Sequence, residues 1–132
     1  MTQPFPLQNN YLKRIIVVVE EPSLRVGIVN SLMLEGYTVT GVDSALDFYL
    51  QFFREPYLIA IIDNELPDQS GLVVAEYARK NADIHIITLS EPLTSTTVPA
   101  NFEDAADLNI IKPVNIRLLS SYVRTLLSRL DS

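Results

Sequence analysis

The amino-acid sequence predicts an α/β domain built on a doubly wound parallel β-sheet. Its 132 residues are the length of one domain, and 48% of them are hydrophobic, which is enough for a single packed core. Short apolar runs without polar alternation, at residues 15–19 (IIVVV) and 58–62 (LIAII), are typical of strands buried on both faces. Segments with helical spacing of apolar residues separate the runs. This alternation predicts parallel strands joined by right-handed helical crossovers.

The elements follow one another in a (βα)₅ order. Residues 1–12 contain two prolines and no periodicity, and we interpret them as a flexible leader to a domain that covers residues 13–131. After the first strand, Pro22 stands at the start of a helix that Gly36 ends. The remaining strands are predicted at residues 37–42, 58–62, 84–89 and 109–112, and the remaining helices at residues 44–53, 71–80 and 116–130.

Residues 91–107 occupy the place of the fourth helix, but their composition opposes a helix. Pro92 and Pro99 each remove a backbone donor, and three β-branched threonines lie between them. We therefore expect a loop with at most a short helical stretch near residues 102–107, so that the fourth helix is disrupted or shortened.

Composition and charge exclude several classes of protein. Ten Lys and Arg against 16 Asp and Glu give a net charge of −6, which disfavours nucleic acid as a partner and favours protein partners or a cation. The absence of cysteine excludes a disulfide framework and a thiolate metal site. No apolar run is long enough to span a membrane and no secretory signal opens the chain, so we expect a cytoplasmic protein.

Polar side chains stand where four of the predicted strands end. Glu20 and Glu21 follow the first strand, Asp63 the third and Ser90 the fourth, and Lys112 ends the fifth. Parallel strands end at the same edge of a sheet, where such folds bind ligands, so these side chains should converge. Clustered carboxylates are costly unless a cation is held there, and oxygen ligands suit Mg²⁺. One carboxylate can then act as a nucleophile towards a phosphoryl group that the lysine and hydroxyl contact.

With these landmarks in order, the sequence resembles the receiver domain of two-component response regulators over residues 13–130. The landmarks are the acidic pair, Asp63, Ser90 and Lys112–Pro113. The loop at residues 63–71 (DNELPDQSG) adds a proline four positions after Asp63 and a glycine eight positions after it. The resemblance implies a flavodoxin-like fold with the strand order 2-1-3-4-5. It also implies a phosphorylation-controlled switch rather than a turnover enzyme.

The resemblance assigns a role to each polar residue of the edge. Asp63 would accept a phosphoryl group from a partner histidine kinase, and Ser90 and Lys112 would contact that group. The implied Mg²⁺ ligands are the carboxylates of Glu20, Glu21 and Asp63 and the backbone carbonyl of Glu65. The Lys112–Pro113 peptide bond would be cis. The signal would pass through protein contacts, to a second copy or to an output domain such as that of a transcriptional regulator.

Several residues depart from the family pattern. Glu20 and Glu21 stand where the acidic pair is usually led by aspartate, and each is one methylene longer, which bears on Mg²⁺ geometry. Glu91 follows Ser90 where the family usually has a small residue, and Asn109 replaces an aromatic switch residue. These departures define an alternative function, a pseudo-receiver that binds proteins without being phosphorylated.

Two further interpretations remain beside these. Glu20 and Glu21 could form an acidic turn that caps the first helix, since a helix N-terminus favours negative charge. A small enzyme or nucleotide-binding domain could use the same fold. The second interpretation is disfavoured because no glycine-rich phosphate loop follows the first strand.

Overall fold

A computed structural model describes residues 13–92 and 105–131 of the chain. Within these residues it contains five strands and four helices. The strands are β1 (Arg14–Val18), β2 (Thr38–Val42), β3 (Ile59–Asp63), β4 (His85–Ser90) and β5 (Leu108–Ile111). The helices are α1 (Pro22–Leu34), α2 (Ala45–Arg54), α3 (Gly71–Asn81) and α4 (Ile116–Asp131).

The strands form one parallel sheet in the order β2-β1-β3-β4-β5, which confirms the predicted fold class and strand order. From β1 the chain first adds β2 on one side and then β3 on the other. The strand order therefore reverses between β1 and β3, and ligands of such sheets bind beyond the carboxyl ends of the strands at this point. Asp63 ends β3 at this place.

Among the described residues, two helices lie on each face of the sheet. On one face, α2 and α3 pack against an apolar cluster that contains Ile16 and Phe48. On the other face, α1 and α4 pack against a second cluster that contains Ile15 and Leu119. Full burial of each such side chain contributes about 1.5–3 kcal/mol. Because successive residues of β1 point into opposite clusters, residues 15–18 of the strand are all apolar, which explains the lack of alternation.

The predicted start signals of the first two helices, and the stop signal of the first, are confirmed. Pro22 is the first residue of α1. Gly36 lies just beyond the end of α1 with a φ of 99°, a left-handed conformation that glycine adopts without a steric penalty. The Ser44 hydroxyl accepts a hydrogen bond from the backbone N–H of Asp47 at 3.1 Å and so caps α2.

Element boundaries differ slightly from the prediction near β5. The strand ends at Ile111, so Lys112 follows β5 rather than ending it. The predicted leader (residues 1–12) and the greater part of the predicted disrupted helix (residues 93–104) lie outside the described residues. In the part of the chain that the structure describes, no helix is long and apolar enough to cross a membrane.

Candidate functional site

Asp63 and Lys112 form an ion pair at the carboxyl edge of the sheet. The Lys112 Nζ atom lies 2.7 Å from Asp63 Oδ2, and the Asp63 side chain is almost fully buried. The contact exists because β3, β4 and β5 are adjacent and parallel, so the end of β3 and the residue after β5 lie at the same edge. The predicted convergence of these two side chains is confirmed, and the Lys112–Pro113 peptide bond is cis as predicted.

The loop after Asp63 holds its carboxylate in a fixed orientation. The backbone N–H of Glu65 donates to Asp63 Oδ1 at 2.9 Å, which leaves Oδ2 towards Lys112. Gly71 closes the loop by donating its N–H to the carbonyl of Asn64 at 2.8 Å. A Cβ atom at Gly71 would collide with the backbone of Asp63 and Asn64. The glycine eight positions after Asp63 therefore permits a close approach that any side chain would prevent.

Glu91 shares the ammonium group of Lys112 with Asp63. Glu91 Oε2 lies 3.3 Å from Lys112 Nζ, and the Glu91 side chain is about half exposed. Partial burial opposes the charge of Lys112, but hydrogen bonds and charge attraction from both carboxylates outweigh it and raise the pKa of Lys112. Lys112 therefore remains protonated, and one cation faces two carboxylates at this site.

Ser90 is held by a polar network on the neighbouring strand. The Asn109 side-chain amide donates to Ser90 Oγ at 3.1 Å, and Asn109 Oδ1 accepts a hydrogen bond from the Thr88 hydroxyl at 2.8 Å. Asn109 pairs with Thr88 across β4 and β5, and Ser90 lies two residues further along β4, on the same face. Sequence reasoning did not identify Thr88, although its spacing from Ser90 was a usable signal.

Glu21 caps the first helix. Its carboxylate accepts backbone hydrogen bonds from Ser23 at 2.8 Å and from Leu24 at 3.0 Å. These two bonds, larger in effect than the opposing desolvation, lower the pKa of Glu21. The structure thus places Glu21 in the capping role that the sequence also allowed, while its role as a metal ligand stays a prediction.

Glu20 lies in the turn between β1 and α1 with an exposed side chain. Its backbone carbonyl and that of Val19 accept hydrogen bonds from Arg25 Nη1 at 2.9 Å and 2.8 Å. Arg25 thereby fixes this turn, a role that sequence reasoning missed because the side chain reaches back across one helical turn to backbone atoms. The β1–β3 pairing ends at Val18 and Ile62, and the residue that follows β1 is Val19, whose apolar side chain is fully buried.

The carboxylates that would hold a magnesium ion near Asp63 make other contacts in this structure. Mg²⁺ requires near-octahedral oxygen ligands, with carboxylates free to turn towards it. Asp63 Oδ2 is paired with Lys112, and the carboxylate of Glu21 is used by α1. Within residues 13–92 and 105–131, no group of three or more acidic or histidine side chains could hold a metal ion. The predicted Mg²⁺ site therefore stays a prediction.

Comparison with known proteins identifies one family. The model of the response regulator receiver domain matches residues 15–124. The chain is 27% identical over 117 residues to the TorCAD operon transcriptional regulatory protein TorR of Escherichia coli O157:H7. It is 30% identical over 115 residues to the response regulator RR06 of Streptococcus pneumoniae serotype 2. These matches cover 89% and 87% of the chain but only 51% and 53% of the relatives, so the chain spans about half their length.

Solved structures lead to the same family. The response regulator TrrA of Thermotoga maritima, solved in complex with Mg²⁺-BeF, is 34% identical with a TM-score of 0.73. That match covers 86% of the chain and 98% of TrrA. A second structure contains TrrA in complex with the histidine kinase ThkA. This match is 34% identical with a TM-score of 0.74, and it covers 87% of the chain and 98% of TrrA.

Proposed function

Because the chain belongs to the response regulator receiver domain family, signalling modules of two-component systems, we propose that it accepts a phosphoryl group on Asp63 from a histidine kinase. The observation that carries the proposal is the 2.7 Å contact between the buried Asp63 carboxylate and the ammonium group of Lys112. A buried carboxylate beside a fixed cation is a suitable acceptor, since the cation can offset the charge that arrives with the phosphoryl group.

The transfer exchanges one bond for another. A carboxylate oxygen of Asp63 attacks the phosphorus atom of a phosphohistidine, the P–O bond of an acyl phosphate forms, and the P–N bond breaks. The imidazole leaves with the electron pair of that bond and takes up a proton. Lys112 supplies positive charge at the acceptor, the backbone N–H of Glu65 orients the carboxylate, and Ser90 offers a hydroxyl at the same edge. Water later hydrolyses the acyl phosphate, so the chain is a switch and not an enzyme with turnover.

The relatives support two kinds of partner for this chain. TrrA is in complex with a histidine kinase, which supports a kinase as the phosphoryl donor for this chain as well. TorR and RR06 are about twice as long as the matched region, and TorR is a transcriptional regulatory protein. We therefore propose that the signal passes from this domain, in the cytoplasm, to an output region or protein that controls transcription.

Intact-mass spectrometry after incubation with acetyl phosphate tests this function. We expect a single phosphoryl adduct on the wild-type chain and none on Asp63→Ala. Asp83→Ala, which removes an exposed carboxylate at the opposite edge of the sheet, should retain the adduct. Parallel incubations with MgCl₂ and with EDTA measure separately how far the transfer depends on the metal. Equal labelling of the wild type and Asp63→Ala would refute Asp63 as the acceptor.

A phosphorylation-independent pseudo-receiver is the second candidate, and two observations favour it. Lys112 is already shared between Asp63 and Glu91, and the Glu21 carboxylate is engaged as a helix cap. On this alternative, the wild-type chain gives no adduct under conditions that label a conventional receiver domain, and Asp63→Ala leaves its protein contacts unchanged.

A further inference from the structure

Helix α2 presents an apolar stripe on its outer side. The stripe consists of Leu46, Leu50 and Phe53, whose side chains are 62%, 54% and 69% exposed. Their spacing of four and three residues puts them on one side of the helix, while Ala45 and Phe48 on the other side are buried against the sheet. Large side chains aligned in this way form a continuous patch rather than scattered surface residues.

Aromatic packing supports the end of the α2 stripe. The Phe53 ring meets the rings of Phe52 and Tyr77 edge to face, with centroids 5.9 Å and 6.2 Å apart. Phe52 in turn stacks on the buried Phe48 at 5.2 Å. These contacts hold Phe53 in place although it is largely exposed, so little side-chain entropy would be lost when a partner covers it.

Opposite charges flank the α2 stripe along one side. Asp47 and Arg54 are seven residues apart and therefore lie on the same flank, at opposite ends of the helix. Neither side chain forms an ion pair within the described part of the chain. Each charge is thus available to a partner that brings the opposite charge to its end of the stripe.

We propose that the α2 stripe is the contact surface between two copies of this chain, paired antiparallel about a two-fold axis near Leu50. Such a contact is self-complementary, because each copy contributes the same patch. Leu50 packs against its own copy, and Leu46 of each copy meets Phe53 of the other. Corresponding flanks oppose each other in an antiparallel helix pair, so Asp47 of each copy lies beside Arg54 of the other.

The charges decide between the two possible directions of pairing. In a parallel pair with the two-fold axis along the helices, opposite flanks face each other, so Asp47 and Arg54 of one copy would meet neither charge of the other. In an antiparallel pair, each of these charges lies beside the opposite charge of the other copy. A contact of three helical turns buries less than the roughly 800 Å² per partner of a standard interface. We therefore expect a weak dimer that forms only at high protein concentration.

Sedimentation velocity over a concentration series, from low micromolar to several hundred micromolar, tests the pairing. The wild-type chain should shift from monomer to dimer, and Leu50→Glu should remain monomeric throughout. Met33→Glu is the matched control, because Met33 on α1 is equally exposed, at 54%, but lies on the opposite face of the sheet. It should dimerise as the wild type does. Circular dichroism establishes that each variant is folded.

Charge exchange tests the antiparallel direction. Asp47→Arg and Arg54→Asp alone should each weaken self-association several-fold, whereas an equimolar mixture of the two variants should pair at least as well as the wild type. A wild-type chain that stays monomeric at the highest concentration would overturn the proposal. It would also be overturned by a dimer that survives Leu50→Glu, or by two charge variants that do not pair with each other.

Discussion

Removing the charge of Glu91 should speed the phosphorylation of Asp63. Lys112 Nζ lies 2.7 Å from Asp63 and 3.3 Å from Glu91, so Glu91 competes for the cation that has to offset the incoming phosphoryl charge. Its own charge also repels an anionic donor near the mouth of the site. Glu91→Gln keeps the size of the side chain and removes both effects.

The geometry sets the size of the effect. In water, two unit charges 3.3 Å apart attract by about 1.3 kcal/mol. The Glu91 side chain is 53% exposed, so screening and the entropy of holding two long side chains reduce this value. We expect Glu91→Gln to lower the activation free energy of phosphorylation by about 0.5–1 kcal/mol. This corresponds to a rate increase of roughly two- to five-fold.

The assay is the initial rate of acetyl phosphate labelling, followed by intact mass at two ionic strengths. At low salt Glu91→Gln should be labelled two- to five-fold faster than the wild type, and the difference should shrink at high salt. Asp83→Asn removes the same charge at the opposite edge of the sheet and should leave the rate unchanged. A rate for Glu91→Gln that equals or falls below that of the wild type would refute the competition for Lys112.

Substitutions at three other positions, with one control, test the fold. Burial opposes the charge of Asp107, but the hydrogen bond from a backbone N–H of β4 and the ion pair with Arg79 outweigh it and lower the pKa of Asp107. The stability that the Asp107 carboxylate contributes is therefore present above a pH of about 4 and lost as the pH falls through its lowered pKa. In urea denaturation, Asp107→Asn should be about 1–2 kcal/mol less stable than the wild type at neutral pH and nearly equal to it in acid. In the same assay, Gly71→Ala should lower the free energy of unfolding by about 3 kcal/mol, because the added Cβ atom would collide with backbone atoms. Gly27→Ala is the control and should lower it far less, because its Cβ atom would contact only a side-chain methyl group that can move. Asn109→Ala should lower the stability measured by thermal unfolding by about 1–2 kcal/mol, because two buried hydroxyl groups of β4 lose their hydrogen-bond partner. An unchanged stability would contradict this hydrogen-bond network.

The fold was predictable because its signals are local and repeated. Continuous apolar runs identify β1 and β3 as strands buried on both faces, and the position of Gly36 identifies the end of α1. The meeting of Asp63 and Lys112 was also predictable, although 49 residues separate them in the chain, because parallel strands bring their carboxyl ends to one edge. The predicted sheet topology therefore indicated a contact that the separation of the two residues in the sequence does not suggest.

The roles of the acidic pair could not be decided from the sequence. A carboxylate directly before a proline at the first helical position suits a helix cap and a metal ligand equally well, and only the hydrogen bonds of Glu21 to Ser23 and Leu24 separate the two. The clamp of Arg25 on two carbonyls has no sequence signature, because its acceptors are backbone atoms that every residue carries. Site details that depend on rotamers therefore came only from the structure.

Glu91 should also affect the equilibrium of phosphotransfer, because it shares Lys112 with Asp63. In the unmodified chain one ammonium group faces two carboxylates, and the more exposed of them, Glu91, carries the charge that is less well compensated. An acyl phosphate at Asp63 would bring roughly two negative charges to the buried position. Lys112 would then be drawn towards the phosphoryl group, because attraction is less screened there, while Glu91 would be repelled by it. Glu91→Gln should therefore shift the phosphotransfer equilibrium towards the phosphorylated chain as well as raise the rate.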